Sequence, residues 1–76
     1  MTDLGKVIRA LHASDINGKV EWFDDDVTVG IGDDMDGWRA EDTVYSFDSA
    51  AEWLRAKAIR QYPESEFAKN YGRGFV

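Results

Sequence analysis

Between Glu21 and Asp42 stand nine carboxylates (Glu21, Asp24, Asp25, Asp26, Asp33, Asp34, Asp36, Glu41 and Asp42), with Arg39 the only base among them. Oxygens at this density have three chemistries open to them. They can hold a hard cation such as calcium through several ligands. Two carboxyls with separated pKa values can share acid–base work. Or they can pair with the lysines and arginines of another protein. The flanks do not share the bias: residues 1–19 carry a net +1, residues 55–76 a net +3, and residues 20–54 a net −10, giving −6 overall. A segregated charge of this kind makes an electrostatic face that attracts cations and repels nucleic acid and anionic membrane.

An EF-hand loop fails on register. With Gly37 as the sixth-position glycine, Asp34 and Asp36 take positions three and five, but Gly32 then falls at position one and Thr43 where the bidentate glutamate belongs. A calcium or metal-stabilised module using both aspartate groups stays open as an alternative. Acid–base catalysis needs a substrate-burying cleft that a chain of 76 residues hardly forms. The single histidine, His12, falls beside Leu11 in helical phase without a clear partner, and no nucleophile elbow or Ser-His-Asp set occurs. No catalytic residue, cofactor or metal ligand is therefore nominated, and the chain is not expected to be an enzyme. Gly30-Ile31-Gly32 lacks the third glycine of a dinucleotide fingerprint; Gly30 reads as a bulge or close-packing position.

The elements that must position these groups follow from periodicity. Leu4, Val7, Ile8 and Leu11 recur at helical spacing from Asp3 to Ala13, with Thr2 as N-cap, Asp3 suited to the helix dipole, and Asn17-Gly18 as the terminating turn. Lys19–Phe23 and Val27–Ile31 alternate as strands around the polar break Asp24-Asp25-Asp26; one residue of register decides whether Trp22 or Phe23 faces inward. Gly32–Gly37 reads as a loop, and a third strand lies within Trp38–Phe47, centred on Thr43–Phe47. Ser49 with Glu52 forms a capping box, Asp48 being an equal cap, ahead of a stripe of Ala51, Leu54, Ala58 and Tyr62 flanked by Ala50 and Trp53. Pro63–Tyr71 reads as a last helix with Phe67, Ala68 and Tyr71 inward, closed by Gly72. The predicted fold is one α+β domain over residues 1–76, a three-stranded antiparallel meander with helices on one face, order α-β-β-β-α-α.

The composition, 43% hydrophobic and 13% aromatic, is that of a folded chain. Without cysteine there are no disulfides or thiolate sites; with no apolar leader or span, the chain reads as cytoplasmic. Aspartates are common in turns and aid solubility. Yet nine like charges within 22 residues repel one another in the compact state. Trp22, Phe23, Met35 and Trp38 lie among them, apolar anchors inside a negative rim, which suits a protein–protein interface. An adaptor whose working surface is the basic C-terminal region, through Arg55, Arg60, Lys69 and Arg73, is the competing reading.

In size and general character, with Asp24-Asp25-Asp26, Asp33-Asp34, Asp36 and Glu41-Asp42 carried on a short sheet scaffold, the chain resembles the small acidic inhibitors that phages encode, namely anti-CRISPR proteins and antirestriction DNA mimics. The resemblance implies a stoichiometric, non-enzymatic binder that occupies a Lys/Arg-lined channel meant for DNA or guide RNA. The partner is then the basic surface of a nucleic-acid-binding complex in the host cytoplasm. Neither nucleic acid itself nor membrane is contacted, and the chain is a monomer or weak homodimer. The contact residues it implies are Asp24, Asp25, Asp26, Asp33, Asp34, Asp36, Glu41 and Asp42, with Met35 and Trp38 as apolar anchors.

Overall fold

The computed structural model describes residues 4–71, with only the backbone of Tyr71. The elements are α1 (Leu4–Ala13), β1 (Asn17–Phe23), β2 (Asp26–Asp33), β3 (Gly37–Val44), α2 (Phe47–Gln61) and α3 (Glu66–Tyr71). The sheet is antiparallel throughout, in the order β1-β2-β3. This is the α+β arrangement that the periodicity predicts. The Thr2 and Asp3 caps, the inward placement of Tyr71 and the closing Gly72 lie outside the described residues.

α1 buries Val7 and Leu11, with Leu4 and Ile8 partly covered beside them. Its end differs from expectation. Asp15, not Asn17-Gly18, takes the left-handed conformation, at φ 61°. The Asp15 amide then donates to the His12 carbonyl (3.0 Å) and the Ile16 amide to the Leu11 carbonyl (2.9 Å). These bonds satisfy the orphan carbonyls of the last turn and bring Ile16, 2% exposed, into the core with Leu11. An L-residue is strained there and glycine is not. Asp15→Gly is expected to stabilise the fold by about 0.5 kcal/mol net of glycine's greater freedom when unfolded, raising the Tm by about 2–4 °C. A Tm that stays put or drops would mean the Asp15 carboxylate has a structural role.

β1 and β2 are joined by the two residues Asp24 and Asp25, with Phe23 opposite Asp26 and Asp24 at φ 50°. β2 and β3 are joined by Asp34-Met35-Asp36, and Gly37 turns the chain back at φ 73°. β3, Gly37–Val44, therefore fills the first part of the predicted Trp38–Phe47 window and ends at Val44, the second residue of the Thr43–Phe47 stretch. The register slips between Ile31 and Gly32, so that Ala40 faces Ile31, Trp38 faces Gly32, and Arg39 is the extra residue of a bulge. The bulge thus lies on β3 and not at Gly30, which is the close-packing position.

α2 is capped by Ser46, in extended conformation, whose hydroxyl accepts from the Ser49 amide at 3.0 Å. The capping residue precedes both expected caps, Asp48 and Ser49, because β3 ends at Val44 and the chain turns into the helix at once. Tyr62 ends α2, Pro63 sits in the link, and Ser65 caps the short α3 through the Ala68 amide (3.1 Å). Ala50, Ala51 and Ala58 let α2 lie close to the sheet, where Leu54 fills the centre. Val27, Val29 and Ile31 of β2 face the helices; Phe67 of α3, 1% exposed, closes the core. The other face of the sheet is left to the strands' own side chains.

Candidate partner-binding surface

The two aspartate groups lie at opposite ends of β2. Asp26 and Asp33 are the first and last of its eight residues, about 23 Å apart. The fold thus brings Asp24, Asp25 and Asp26 together at one end, gathers Asp33, Asp34, Met35 and Asp36 at the other, and joins the two sets nowhere.

The Asp33–Asp36 end is internally satisfied. The Asp33 carboxylate accepts from the Met35 amide (2.9 Å) and the Asp36 amide (2.7 Å), and from the Tyr62 hydroxyl (2.8 Å) at the end of α2. Arg39, released from the ladder by the bulge, pairs with Asp36 at 2.5 Å and Asp33 at 3.6 Å. It also donates to the Gln61 carbonyl at 3.4 Å and lies over the Tyr62 ring at 4.8 Å. Asp34 accepts from the Asn17 side chain at 2.8 Å. This loop is a clasp between β3 and α2. Met35 projects from its tip, 94% exposed.

The clasp has a pH signature. The Asp36 amide, then the Tyr62 hydroxyl, the Met35 amide and the Arg39 charge hold the Asp33 carboxyl below the usual carboxylate range. A depressed folded pKa contributes stability above the unfolded value that is lost as pH falls through the folded one, so the clasp loosens only below about pH 4. Burial first, and then the bond to Asp33, push the Tyr62 phenol up to about 12. Its stabilisation is present below pH ~10 and lost above it. Alkaline ultraviolet titration should show a late tyrosine ionisation, that of Tyr62, which Asp33→Asn moves to lower pH. A titration curve that Asp33→Asn leaves unchanged would contradict the clasp.

The Asp24–Asp26 end is not satisfied in this way. Glu21, Asp24, Asp25 and Asp26 are all exposed, and the nearest strand base, Lys19, is already paired with Glu41 and stands 4.0 Å from Glu21. Among these carboxylates stand Trp22 (66% exposed), Phe23 (67%), Tyr45 (75%) and Phe47 (40%). Neither Trp22 nor Phe23 enters the core. Trp22 sits on the helix side where α2 starts, edge-on to Phe47 with centroids 6.1 Å apart, and its indole N–H donates to the Asp24 carbonyl. Phe23 sits on the opposite, open face. Tyr45 and Phe47 were not among the candidate anchors, because Tyr45-Ser46-Phe47 reads as a strand running into a helix. The missed signal is two large apolar residues flanking a cap serine, where a chain reversal leaves them little to pack on.

Trp38 and Glu41 lie between the two ends, on the open face. Gly30 leaves a flat spot there. A Cβ on it would meet Lys19, Glu41 and Trp38 side chains at 3.1–3.5 Å, and the Lys19 ammonium lies 5.0 Å from the Trp38 ring centre. Trp38 thus covers Gly30 while remaining 46% exposed. Asp42 sits on the outer strand, where its carboxylate accepts from the Thr43 amide at 2.8 Å.

Among the described residues, no three His, Asp or Glu side chains are grouped to hold a metal ion, and no helix is long and apolar enough to cross a membrane. No protein-family model, curated protein or solved structure matches the chain.

Proposed function

We propose that this domain is a non-enzymatic binding protein, anti-CRISPR-like in kind, that acts in the cytoplasm by occupying the basic surface of a nucleic-acid-binding complex. The observation that carries this reading is the β1–β2 end, where exposed Trp22, Phe23, Tyr45 and Phe47 stand among Asp24, Asp25 and Asp26. These three form no ion pair among the described residues, and Glu21 has only the Lys19 ammonium, itself paired with Glu41, at 4.0 Å. Aromatic anchors supply affinity through buried area, and unpaired charge supplies orientation and on-rate. Imitation of a phosphate run falls to Glu21, Asp24, Asp25 and Asp26 in this reading, since Arg39, Tyr62 and Asn17 already engage the other loop. A monomeric state fits the taking-up of the Thr43 amide on the outer strand by Asp42, which blunts strand-to-strand pairing.

The test is capture from bacterial lysate at low and high salt, followed by competition with duplex DNA and structured RNA. Basic nucleic-acid-binding proteins should be retained at low salt and displaced by the polyanion. Retention that ignores both salt and polyanion would remove the proposal.

A further inference from the structure

The sheet has two outer edges, and they are not alike. On β3 the Asp42 carboxylate takes up the Thr43 amide, which blunts pairing. β1 carries no such device, and among the described residues nothing pairs with its outer side. The Asp24-Asp25 turn closes on the Phe23–Asp26 pair, which sets the alternation along the strand. Phe23, Glu21 and Lys19 bond to β2, while Trp22, Val20 and Gly18 turn their amides and carbonyls outward. Beside Gly18, where β1 starts, opens a groove of about 370 Å³ lined by Ile8, His12, Ile16, Asn17, Gly18 and Trp38.

We infer that β1 is a self-association edge: a second copy of this chain adds its own β1 antiparallel about Val20, joining two three-stranded sheets into one. Val20 is the midpoint of Asn17–Phe23, so this register sets Val20 against Val20, Gly18 against Trp22, and Lys19 against Glu21. The outward backbone groups of Gly18, Val20 and Trp22 then meet their like in hydrogen-bonded pairs. Opposite charges face each other twice, because a two-fold contact repeats every interaction. Sliding the copy two residues one way would set Lys19 on Lys19, and the other way Glu21 on Glu21. Charge therefore selects the central register. The same register brings Trp22 of the second copy, 66% exposed in the free protein, over Gly18, whose open side faces Leu11 and Leu54. Directly paired residues share a face, so this indole enters the groove on the Ile8 and His12 side. The net charge of −6 on each copy opposes the contact and keeps it weak. The dimer covers Trp22 and sets Phe23 against Asn17, so the monomer is the form that meets the partner proposed above. Self-association itself does not rest on that reading.

Sedimentation equilibrium of the whole 76-residue chain, from about 10 µM to about 1 mM, spans the range in which so small an interface forms. It should show monomer and dimer in exchange. Amide hydrogen exchange at Gly18, Val20 and Trp22 should slow as concentration rises. Lys19→Glu and Glu21→Lys should each weaken the dimer roughly five- to twenty-fold, because like charges then meet across both pairs. Mixing these two variants should restore association, since the acids of one chain then face the bases of the other. A variant that merely failed to fold could not be rescued in this way, and a thermal melt of each checks the fold. A monomer throughout the range, a mixture no more associated than either variant alone, or protection that rises along β3 instead would each overturn the edge. The outcome is separable from that of the proposed function. Capture of basic proteins without self-association removes the edge alone, and self-association without capture removes the broader role alone.

Discussion

Neutralising the β1–β2 end, with Glu21→Gln, Asp24→Asn, Asp25→Asn and Asp26→Asn in one chain, is expected to slow partner association by about 10- to 100-fold at low salt and to raise the Tm at the same time. The two changes have one cause. Asp24, Asp25 and Asp26, with Glu21 beside them, crowd one end of a small sheet; in the proposed role they steer a basic partner toward the aromatic anchors, and in the free protein they repel one another. Removing them weakens the steering and relieves the repulsion together. The corresponding change at the other end, Asp33→Asn with Asp34→Asn and Asp36→Asn, is expected to do the reverse. Partner association should alter little, and the Tm should fall, since Arg39, Tyr62 and Asn17 lose their charged acceptors. Surface plasmon resonance on a captured partner across a salt series, beside thermal melts of the two variants, gives both readouts. If the two ends responded alike, the separation of a binding end from a clasp would be untenable.

Gly32→Ala should be the most damaging of the single substitutions weighed for stability. A Cβ at this position would stand 2.0 Å from the Gly37 carbonyl oxygen and 2.8 Å from the Trp38 Cα. Both are backbone atoms, so no side-chain rotation relieves the clash, and the β2–β3 turn with its bulge must open. A loss of about 3 kcal/mol is expected. For a chain of this length the whole stability is of order 4–11 kcal/mol, so a Tm drop of 12 °C or more follows at about 4 °C per kcal/mol. Gly30→Ala is the informative comparison. Its nearest neighbours, Lys19 Cε at 3.1 Å and Glu41 Cγ at 3.2 Å, belong to flexible side chains that can yield. The melts should therefore rank Gly30→Ala well above Gly32→Ala. Near-equal melting of the two would mean that the β2–β3 turn is built otherwise than described.

The first prediction turns on the distance between the two aspartate groups, and that distance was latent in the sequence. Two turns flanking one strand must lie at its opposite ends, so reading Val27–Ile31 as a strand between polar breaks already separates Asp24–Asp26 from Asp33–Asp36. The helical stripe of α1, the alternation of β2, and the Ala51-Leu54-Ala58 face of α2 were likewise legible. Each depends only on spacing along a few turns or pleats, and burial of one face rewards that spacing wherever the element lies.

Tertiary structure alone decided the rest. The one-residue slip at Arg39 sends Trp38 to the open face and the guanidinium to α2, and a bulge has no signal in apolar periodicity because it changes register without changing composition. The Tyr62 hydroxyl meets Asp33 across 29 positions of chain. Which acids are neutralised and which remain available therefore follows from how the end of α2 docks on the sheet. Charge content is a property of the chain, but the distribution of unsatisfied charge is set by contacts between residues distant in sequence.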